Sequence, residues 1–184
     1  MAKLKTAIAV LRPKMPDAVP LWPAVPALVC GAACQLLCLM IEPKIRPATT
    51  DDLRALTECI RAAYAPYHTT ILDLPDVTDG LADDIEAGNV WVMDSSDSIV
   101  AGLVLSIAPP AAKLANIAVS PNAAGQGLGR QLIAHAQTQA RARGCTKMDL
   151  TTHSEMHANR RLYEKLGWKF LSANGTSVHM TKDL

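Results

Sequence analysis

The chain has 184 residues, of which 49% are hydrophobic and 19% charged, so it has the material for one folded domain and is not a wholly disordered protein. The formal net charge is +1, from 18 basic and 17 acidic residues, which argues against a protein that binds duplex nucleic acid through a basic face. The five cysteines do not form the pattern of a secreted disulfide framework. We therefore expect a cytoplasmic protein with no nucleic-acid partner.

Residues 1–43 differ in character from the rest of the chain. They hold 6 of the 12 prolines, and those between Pro13 and Pro26 recur too often for a helix or a central strand. Residues 27–41 are an uncharged run that is shorter than the about 20 residues of a transmembrane helix and lacks a clear signal-peptide cleavage site. We expect a Pro-rich N-terminal extension over residues 1–43, poorly ordered or with a short helix, a folded domain over residues 44–184, and no membrane partner.

Two features of this extension allow more than one interpretation. Cys30, Cys34 and Cys38 would share one face of a helix, which admits a metal or redox site. No histidine follows at zinc-site spacing, so small apolar packing residues are the favoured interpretation and no metal is expected. Met40 stands directly before the first folded pattern, which gives the hypothesis that it is the natural start of translation.

The folded part starts with a predicted strand at 44–47 and a helix capped by Thr49 or Thr50. Apolar residues at helical spacing give this helix a buried face, and Pro66 is expected to end it and leave residues 64–68 as a loop. The other predicted helices are 79–86, 128–143 and 156–166. The other predicted strands are 90–93, 99–108, 114–119, 147–152, 168–171 and 178–180, with a polar turn at 94–97.

The resulting order of elements is β-α-α-β-β-β-α-β-α-β-β. Strands and helices that alternate in this way indicate an α/β (α+β) fold, in which one mixed sheet carries helices on its faces.

The most informative segment covers residues 114–136. A predicted strand leads into Ser120 and Pro121, and Gly125, Gly127 and Gly129 then precede a helix. Glycines at alternate positions let the backbone approach a ligand and gather several N–H groups, and the helix N-terminus adds the positive end of a dipole. The segment therefore predicts an anion site suited to a pyrophosphate.

Three other patterns account less well for the glycines. A Walker A loop needs Gly-Lys-Ser/Thr, whereas Gly129 is followed by Arg130 and Gln131. A dinucleotide fingerprint needs a third glycine where Arg130 stands. A glycine-rich turn without a ligand is the remaining alternative, and the position between a strand and a helix argues against it.

This segment resembles motif A of the GNAT superfamily, the acyl-coenzyme A dependent N-acetyltransferases. In that motif, Gln/Arg-x-x-Gly-x-Gly/Ala follows a strand that ends like the IAVSP of this chain. Gly127 and Gly129 match the two small positions, and Ala124 stands where the family usually has Gln or Arg. The departure at Ala124 removes one side-chain contact and leaves the backbone of the motif intact.

A second stretch, residues 156–170, resembles motif B of the same family, with Leu-Tyr-x-x-Leu-Gly-Trp at 162–168. The opening IRPATTDDL at 45–53 also resembles the usual start of the family. The resemblance covers roughly residues 44–184. It implies a mostly antiparallel sheet and acetyl-CoA as the co-substrate.

The resemblance implies which groups bind acetyl-CoA. The pyrophosphate would lie on the N–H groups of Gly125, Gln126, Gly127, Leu128, Gly129 and Arg130. The pantetheine and the thioester oxygen would meet backbone N–H groups of Ile117, Ala118 and Val119. Many relatives also contact the cofactor through an Asn seven residues before the motif B tyrosine. Met156 stands there in this chain, and Asn159, one turn along, is the expected substitute.

The implied mechanism is direct attack of an uncharged amine on the thioester, with Tyr163 as the general acid that protonates the departing thiolate. Helical spacing alone would favour a core tyrosine. No Glu occurs in residues 114–119, where some relatives carry one, so the candidates for the general base are a water chain, His153, His157, Glu155 and Asp149. His153, just after a predicted strand, is the first choice, and an ordinary surface histidine is the alternative.

The expected acceptor is the primary amine of a small molecule or peptide. The stretch at 73–86 holds six acidic residues and no basic one, which would attract a cationic amine, although such a run is as often a solvated helix face. Tyr64, Tyr67 and His68 either line the acceptor pocket or pack within a loop. Dimerisation is common in the family, so a homodimer is allowed.

Two rival functions are distinguishable from an acetyltransferase. A catalytically silent GNAT fold would bind acyl-CoA as a sensor or interaction module without turnover. A nucleotide-binding enzyme would bind ATP or NAD rather than CoA.

Overall fold

A computed structural model describes residues 43–95 and 98–184. Its strands are β1 (Lys44–Pro47), β2 (Val90–Ser95), β3 (Ser98–Ala108), β4 (Ala111–Val119), β5 (Lys147–His153), β6 (Lys169–Asn174) and β7 (Ser177–Asp183). Its α-helices are α1 (Leu53–His68), α2 (Leu81–Glu86), α3 (Leu128–Ala142) and α4 (His157–Lys165). Short 3-10 turns occur at Thr50–Asp52 and Pro121–Ala123.

The strands form one sheet in the order β1-β2-β3-β4-β5-β7-β6. Every neighbouring pair is antiparallel except β4 and β5, which are parallel. The parallel pair follows from the connection, because α3 carries the chain from the end of β4 back to the start of β5. The predicted α/β (α+β) class, with a mixed, mostly antiparallel sheet flanked by helices, is confirmed.

Helices cover both faces of the sheet, and each face has its own apolar core. Val90 and Val92 of β2 pack with the buried residues of α1 and α2. Trp91 and Met93, which alternate with them, pack with the buried residues of α3 on the opposite face. This alternation is the period-2 pattern of a strand that is buried on both sides.

Helix α1 is longer than predicted. It continues through Pro66 to His68, so residues 64–68 are helical and do not form a loop. A proline in the last turn removes one intrahelical hydrogen bond, to the carbonyl of Ala62, and this residue is exposed, so water can bond to it. The fully buried Tyr64 and the half-buried Tyr67 anchor the turn against the core.

Other boundaries also shift. Helix α2 starts at Leu81, later than predicted, because Gly80 before it has a left-handed φ of 70°. Strand β4 starts at Ala111 rather than at residue 114, because Pro109 and Pro110 form a tight turn that lets β4 pair with β3 from its first residue.

The predicted polar turn at 94–97 begins later than expected. Strand β2 continues to Ser95, where it pairs with Ser98 of β3. Residues 96–97 lie outside the described residues. The predictions for the tail, the cysteine stripe and Met40 fall on residues 1–42 and likewise lie outside them.

Arg46 of β1 ties the start of α1 to the sheet. Its guanidinium donates to both carboxylate oxygens of Asp52, at 2.7 and 2.9 Å, and to Asp94 of β2 at 2.7 Å. Asp52 also accepts the backbone amide of Thr49 at 2.8 Å, and Thr49 is the N-cap of the turn that leads into α1. The hydrogen bonds from Arg46 hold the pKa of the Asp52 carboxyl well below its ordinary value.

Replacing Arg46 by Met should lower the free energy of unfolding by about 1–2 kcal/mol near neutral pH, because the lost hydrogen bonds are charge-assisted but partly exposed. The lowered pKa of Asp52 makes this contribution present above the unfolded-state pKa of about 3.9 and lost as the pH falls below it. Urea unfolding at about pH 7 and about pH 3 should therefore show a smaller difference between wild type and R46M at the lower pH. The same difference at both pH values would contradict this account.

Candidate functional site

Strands β4 and β5 are paired over only part of their length. Their parallel register joins Ala111–Leu114 to Lys147–Leu150 and then stops. Beyond Leu114 and Leu150, β4 stays paired only with β3, and β5 stays paired only with β7. The gap between residues 115–119 of β4 and residues 151–153 of β5 is called the strand cleft below.

A β-bulge in β4 marks the start of the strand cleft. Val104 of β3 pairs with Asn116, whereas the next residue, Leu105, pairs with Leu114. Ala115 is therefore an extra residue in β4. A bulge bends its strand and increases the local twist, which turns the second half of β4 away from β5.

Two backbone amides of β4 face the strand cleft. The amide of Ser120, just past β4, donates to the carbonyl of Val100 on β3 at 2.8 Å. Because amides alternate in direction along a strand, Ala118 also directs its amide toward β3, and Ile117 and Val119 direct theirs into the cleft. Ile117 and Val119 thus have the orientation that the predicted backbone contacts require, whereas Ala118 contributes to the pairing of β3 and β4.

The glycine loop, residues 124–130, leads from the end of β4 into the first turn of α3. Gly125 and Gly127 have left-handed φ angles of 82° and 81°, which a residue with a Cβ adopts only with strain. A Cβ on either glycine would have no atom within 4 Å, so both border open space. Gly129 is buried in the first turn of α3.

The glycine loop gathers backbone N–H groups around the start of α3. Among the described residues, no backbone carbonyl accepts a hydrogen bond from the amides of residues 125–129. The amide of Arg130 differs, because it donates to the carbonyl of Gly127 at 3.0 Å, while the Arg130 side chain is exposed. Unpartnered amides at the positive end of a helix form an arrangement that binds phosphate groups.

Tyr163 of α4 is fully buried and packs edge-on against Trp168, with ring centroids 5.5 Å apart. Its hydroxyl has no hydrogen-bond partner within the described part of the chain. Burial raises the pKa of Tyr163 well above its ordinary value, and interaction with Tyr64 and Tyr67 raises it further. The phenol is therefore held in its protonated form, with a donor that no described group uses.

Tyr64 and Tyr67, from the last turns of α1, interact electrostatically with Tyr163, and the three residues are called the tyrosine cluster below. Their ring centroids are 6.4 Å apart, and the Tyr64 hydroxyl donates to Oδ1 of Asn116 at 3.0 Å. Burial raises the pKa of Tyr67, and a hydrogen bond with Asn159 partly offsets this. Of the three residues considered for the acceptor pocket, these two are buried or half-buried, whereas His68 is exposed at the end of the helix.

Asn159 and Met156 lie together at the start of α4, and both are buried. The Asn159 side-chain amide donates to the Met156 sulfur at 3.5 Å, and the hydroxyl of Thr152 donates to the same sulfur at 3.9 Å. Asn159 therefore connects α4 both to Tyr67 of α1 and to the end of β5. These contacts place Asn159 between α1 and α4.

His153, the last residue of β5, joins three segments of the chain. Its Nε2 lies 3.2 Å from Oδ1 of Asp73, in the loop between α1 and α2, and its Nδ1 accepts the backbone amide of Glu155 at 3.2 Å. The other Asp73 oxygen accepts the hydroxyl of Thr176, in the turn between β6 and β7, at 2.9 Å. Hydrogen bonds, chiefly the one from Thr176, lower the pKa of Asp73. We call Asp73, His153 and Thr176 the loop clamp.

The other candidates for a general base have different surroundings. Asp149 accepts the hydroxyl of Thr181 in a hydrogen bond of 2.6 Å on the face of β5 and β7. Glu155, in the turn before α4, and His157, the first residue of α4, are both exposed.

Two residues of this region were not singled out by the sequence. Asn116 is a polar residue inside the apolar stretch LANIAV, and that interruption is a signal by which it could have been found. Asp73 was only one member of an acidic stretch. Its partner His153 is 80 positions away along the chain, and no local pattern links the two.

We also looked in the described residues for a metal site and for a membrane-spanning helix. These residues contain no group of three His, Cys, Asp or Glu side chains that could hold a metal ion. Within them, no helix has the length and apolar character needed to cross a membrane.

The sheet, the strand cleft and the glycine loop together define a class of fold that matches a known family. The model of the acetyltransferase (GNAT) family matches residues 54–168, which is more than half of the chain, and the chain belongs to that family. An uncharacterized N-acetyltransferase, YesJ of Bacillus subtilis (strain 168), is 24% identical over 155 residues, covering 73% of this chain and 86% of YesJ. The resemblance drawn from the two motifs is confirmed.

Solved structures share the fold. PaiA N-acetyltransferase from Thermoplasma acidophilum, solved in complex with coenzyme A, has a TM-score of 0.68 and 19% identity, over 78% of this chain and 99% of its own. The protein yncA from Salmonella typhimurium, solved with its cofactor acetyl-CoA, has a TM-score of 0.62 and 23% identity, over 78% of this chain and 94% of its own.

Proposed function

We propose that this protein transfers the acetyl group of acetyl-CoA to the primary amine of a small molecule or peptide by direct attack. The observation that carries the proposal is the strand cleft, with an amide-rich glycine loop at its end and the buried phenol of Tyr163 in the tyrosine cluster beside it. Membership of the acetyltransferase (GNAT) family supports it, as do the relatives solved with coenzyme A and acetyl-CoA.

The backbone groups of this chain fit acetyl-CoA. The amides of residues 125–129 would hold the pyrophosphate, because they lack carbonyl partners among the described residues and because Gly125 and Gly127 border open space. The exposed Arg130 would add its guanidinium rather than its amide. The amides of Ile117 and Val119 would bind the pantetheine and the thioester oxygen in place of the neighbouring strand.

Tyr163 is proposed as the general acid. The co-substrate supplies an acetyl group already activated as a thioester, so the protein has to position an amine and protonate the sulfur that leaves. A phenol whose pKa is raised keeps its proton at neutral pH and is available to donate it to a thiolate. The missing hydrogen-bond partner of its hydroxyl, among the described residues, leaves that donor available.

His153 is proposed as the general base, with Asp73 as the group that orients it. Because Nδ1 accepts the amide of Glu155, the neutral ring carries its proton on Nε2, toward Asp73. The basic nitrogen is then Nδ1, and the bond from Glu155 has to open for an ammonium to transfer its proton there. Asn159 is proposed to support the acid side of the site by holding α4 against Tyr67.

Acetyl-CoA should stabilise the full chain against heat, whereas ATP and NAD should not. A ligand at about 100 times its dissociation constant adds about 2.7 kcal/mol, which a thermal shift detects easily. Gly127→Ala should weaken this binding, because the strained φ displaces an amide of the glycine loop.

Gly144→Ala is the matched control for this experiment. Gly144, at the other end of α3, has the same φ of 81° and the same open space around a Cβ. Both variants should lose about 1–2 kcal/mol of stability from the strained backbone, and only Gly127→Ala should lose affinity for acetyl-CoA. Equal affinity in both would remove the glycine loop from the binding site.

Tyr163→Phe should lower kcat by about 100-fold or more with little change in either KM, because it removes the acid and leaves binding intact. Its stability should equal or exceed that of the wild type, because the deleted hydroxyl has no partner among the described residues. The raised pKa of Tyr163 also means that kcat should not fall through loss of this proton below about pH 10.

The rates of acetyl transfer are measured by detecting the free thiol of the CoA that is released. Cys59 and Cys145 are buried, and burial raises the pKa of Cys59 to about 11, so they react little with a thiol reagent. A blank without acetyl-CoA corrects for the three cysteines that precede the described residues. Unchanged kcat in Tyr163→Phe would exclude the acid role, and binding of acetyl-CoA without turnover of any amine would favour a silent acyl-CoA-binding module.

His153→Gln should lower kcat/KM by about 100-fold, because it removes the group proposed to take the proton of the ammonium. Asp73→Asn should have a smaller effect on kcat/KM, because the imidazole remains. The two variants change the two sides of the same contact in the loop clamp, so they form a matched pair. Equal and small effects of both, confined to the KM of the amine, would mean that His153 only holds the loop in place.

A further inference from the structure

Asn116 carries a buried hydrogen-bond donor at the edge of the strand cleft. It directly follows the bulge residue Ala115 and is only 3% exposed. Within the described part of the chain, its Nδ2 has no hydrogen-bond partner. A buried N–H group without a partner costs about 1–3 kcal/mol, so a donor kept at this position calls for a ligand that uses it.

The contact with Tyr64 decides which amide atom is available. The Tyr64 hydroxyl donates to Oδ1, so the oxygen is occupied and Nδ2 is the atom left for a ligand. A hydrogen bond to the oxygen of an amide also polarises the group and strengthens its N–H donors. Tyr64 therefore both orients the Asn116 side chain and improves it as a donor.

Two further donors lie near this group. The next residue, Ile117, directs its backbone amide into the strand cleft. Tyr163, whose hydroxyl is also unpartnered among the described residues, interacts with the same Tyr64 that bonds to Asn116. Asn116 and Ile117 thus place two donors on the part of β4 that is not paired with β5, and Tyr64 links them to Tyr163.

We propose that Asn116 is a catalytic residue whose Nδ2 donates a hydrogen bond to the thioester carbonyl oxygen, beside the amide of Ile117. This inference rests on the proposed acetyltransferase function. When the amine nitrogen bonds to the carbonyl carbon, the electron pair of the C=O π bond moves to the oxygen, which becomes negative. Donors aimed at such an oxygen stabilise it most at the moment it carries charge.

The second half of the reaction releases that charge. The oxygen pair re-forms the C=O bond, the C–S bond breaks, and its electron pair leaves on the sulfur, which takes the proton of Tyr163. The nitrogen loses its proton to the base, which leaves an amide and the CoA thiol. Asn116 transfers no proton in this scheme and acts only through its hydrogen bond.

The test replaces Asn116 by Asp, which has nearly the same shape, keeps an oxygen for the Tyr64 hydroxyl and, when ionised, puts a negative charge where the N–H donor was. The kcat for acetyl transfer should fall by about 100-fold or more, while both KM values change by less than about threefold. The slow hydrolysis of acetyl-CoA in the absence of amine should fall in parallel, because it passes through the same negative oxygen. Asn116→Ala should give the same pattern with a larger loss of stability, because it removes the buried hydrogen bond between Tyr64 and Asn116 together with the packing of the amide.

Two further variants serve as comparisons. Tyr64→Phe keeps Nδ2 and removes only the bond that orients it, so its kcat should fall less, by about tenfold. Asn174→Ala changes an exposed asparagine of β6 and should leave kcat and stability at wild-type values. Thermal unfolding of each variant shows whether a change in rate comes with a loss of folded protein.

Three results would overturn the assignment of Asn116. One is wild-type kcat in a folded Asn116→Asp or Asn116→Ala protein. Another is a change confined to the KM of the amine, which would place Asn116 in acceptor binding. Loss of folding in both variants would assign it a structural role. Failure of the proposed function gives a different result: wild-type protein would bind acetyl-CoA but transfer acetyl to no amine. That result would also remove the basis of this inference.

Discussion

The separation of β4 from β5 is the constraint on which the site depends. A sheet gains most when neighbouring strands pair along their whole length, yet these two stop after Leu114 and Leu150. The bulge at Ala115 makes this separation compatible with the fold, because it lets β4 keep its pairing with β3 while it turns away from β5. A fully paired sheet would be more stable and would have no cleft. The long pairing of β3 with β4 and the apolar cores on both faces compensate for the backbone groups that the cleft leaves to a ligand or to water.

Some polar groups near the cleft are likewise left without a partner within the described residues. Buried polar atoms are almost always paired in folded proteins, and each exception needs a reason. Here the hydroxyl of Tyr163 and Nδ2 of Asn116 lack partners within the described residues, whereas Asp52 and Arg46, far from the cleft, satisfy each other twice over. Because Nε2 of His135, Nε of Arg160 and Nε1 of Trp168 also lack partners within the described residues, it is the position of Tyr163 and Asn116 near the cleft that sets these two apart. Local rules of stability are broken mainly where a protein has to bind or react.

How much of this structure the sequence predicts depends on how local each signal is. The order of strands and helices was predicted correctly, because apolar periodicity and glycine stops are read within about ten residues. The extension of α1 past Pro66 was not, because the burial of Tyr64 outweighs a propensity that only the local sequence shows. The glycine loop was found from spacing and resemblance. The bond between Tyr64 and Asn116 and the loop clamp were not found, because their partners are 52 or more positions apart.

The net charge of the chain is near zero, but the charged groups around the proposed site are unevenly distributed. The glycine loop and the exposed Arg130 lie at the start of α3, which covers one face of the sheet. The acidic residues at 73–86 lie around α2, which covers the other face. Salt screens charges over about 8 Å at physiological ionic strength, so each substrate responds to the nearby groups and not to the sum. The proposed anionic donor and cationic acceptor could therefore approach from opposite faces, and the loop clamp, which fixes Asp73, would hold part of the acidic region against the end of β5.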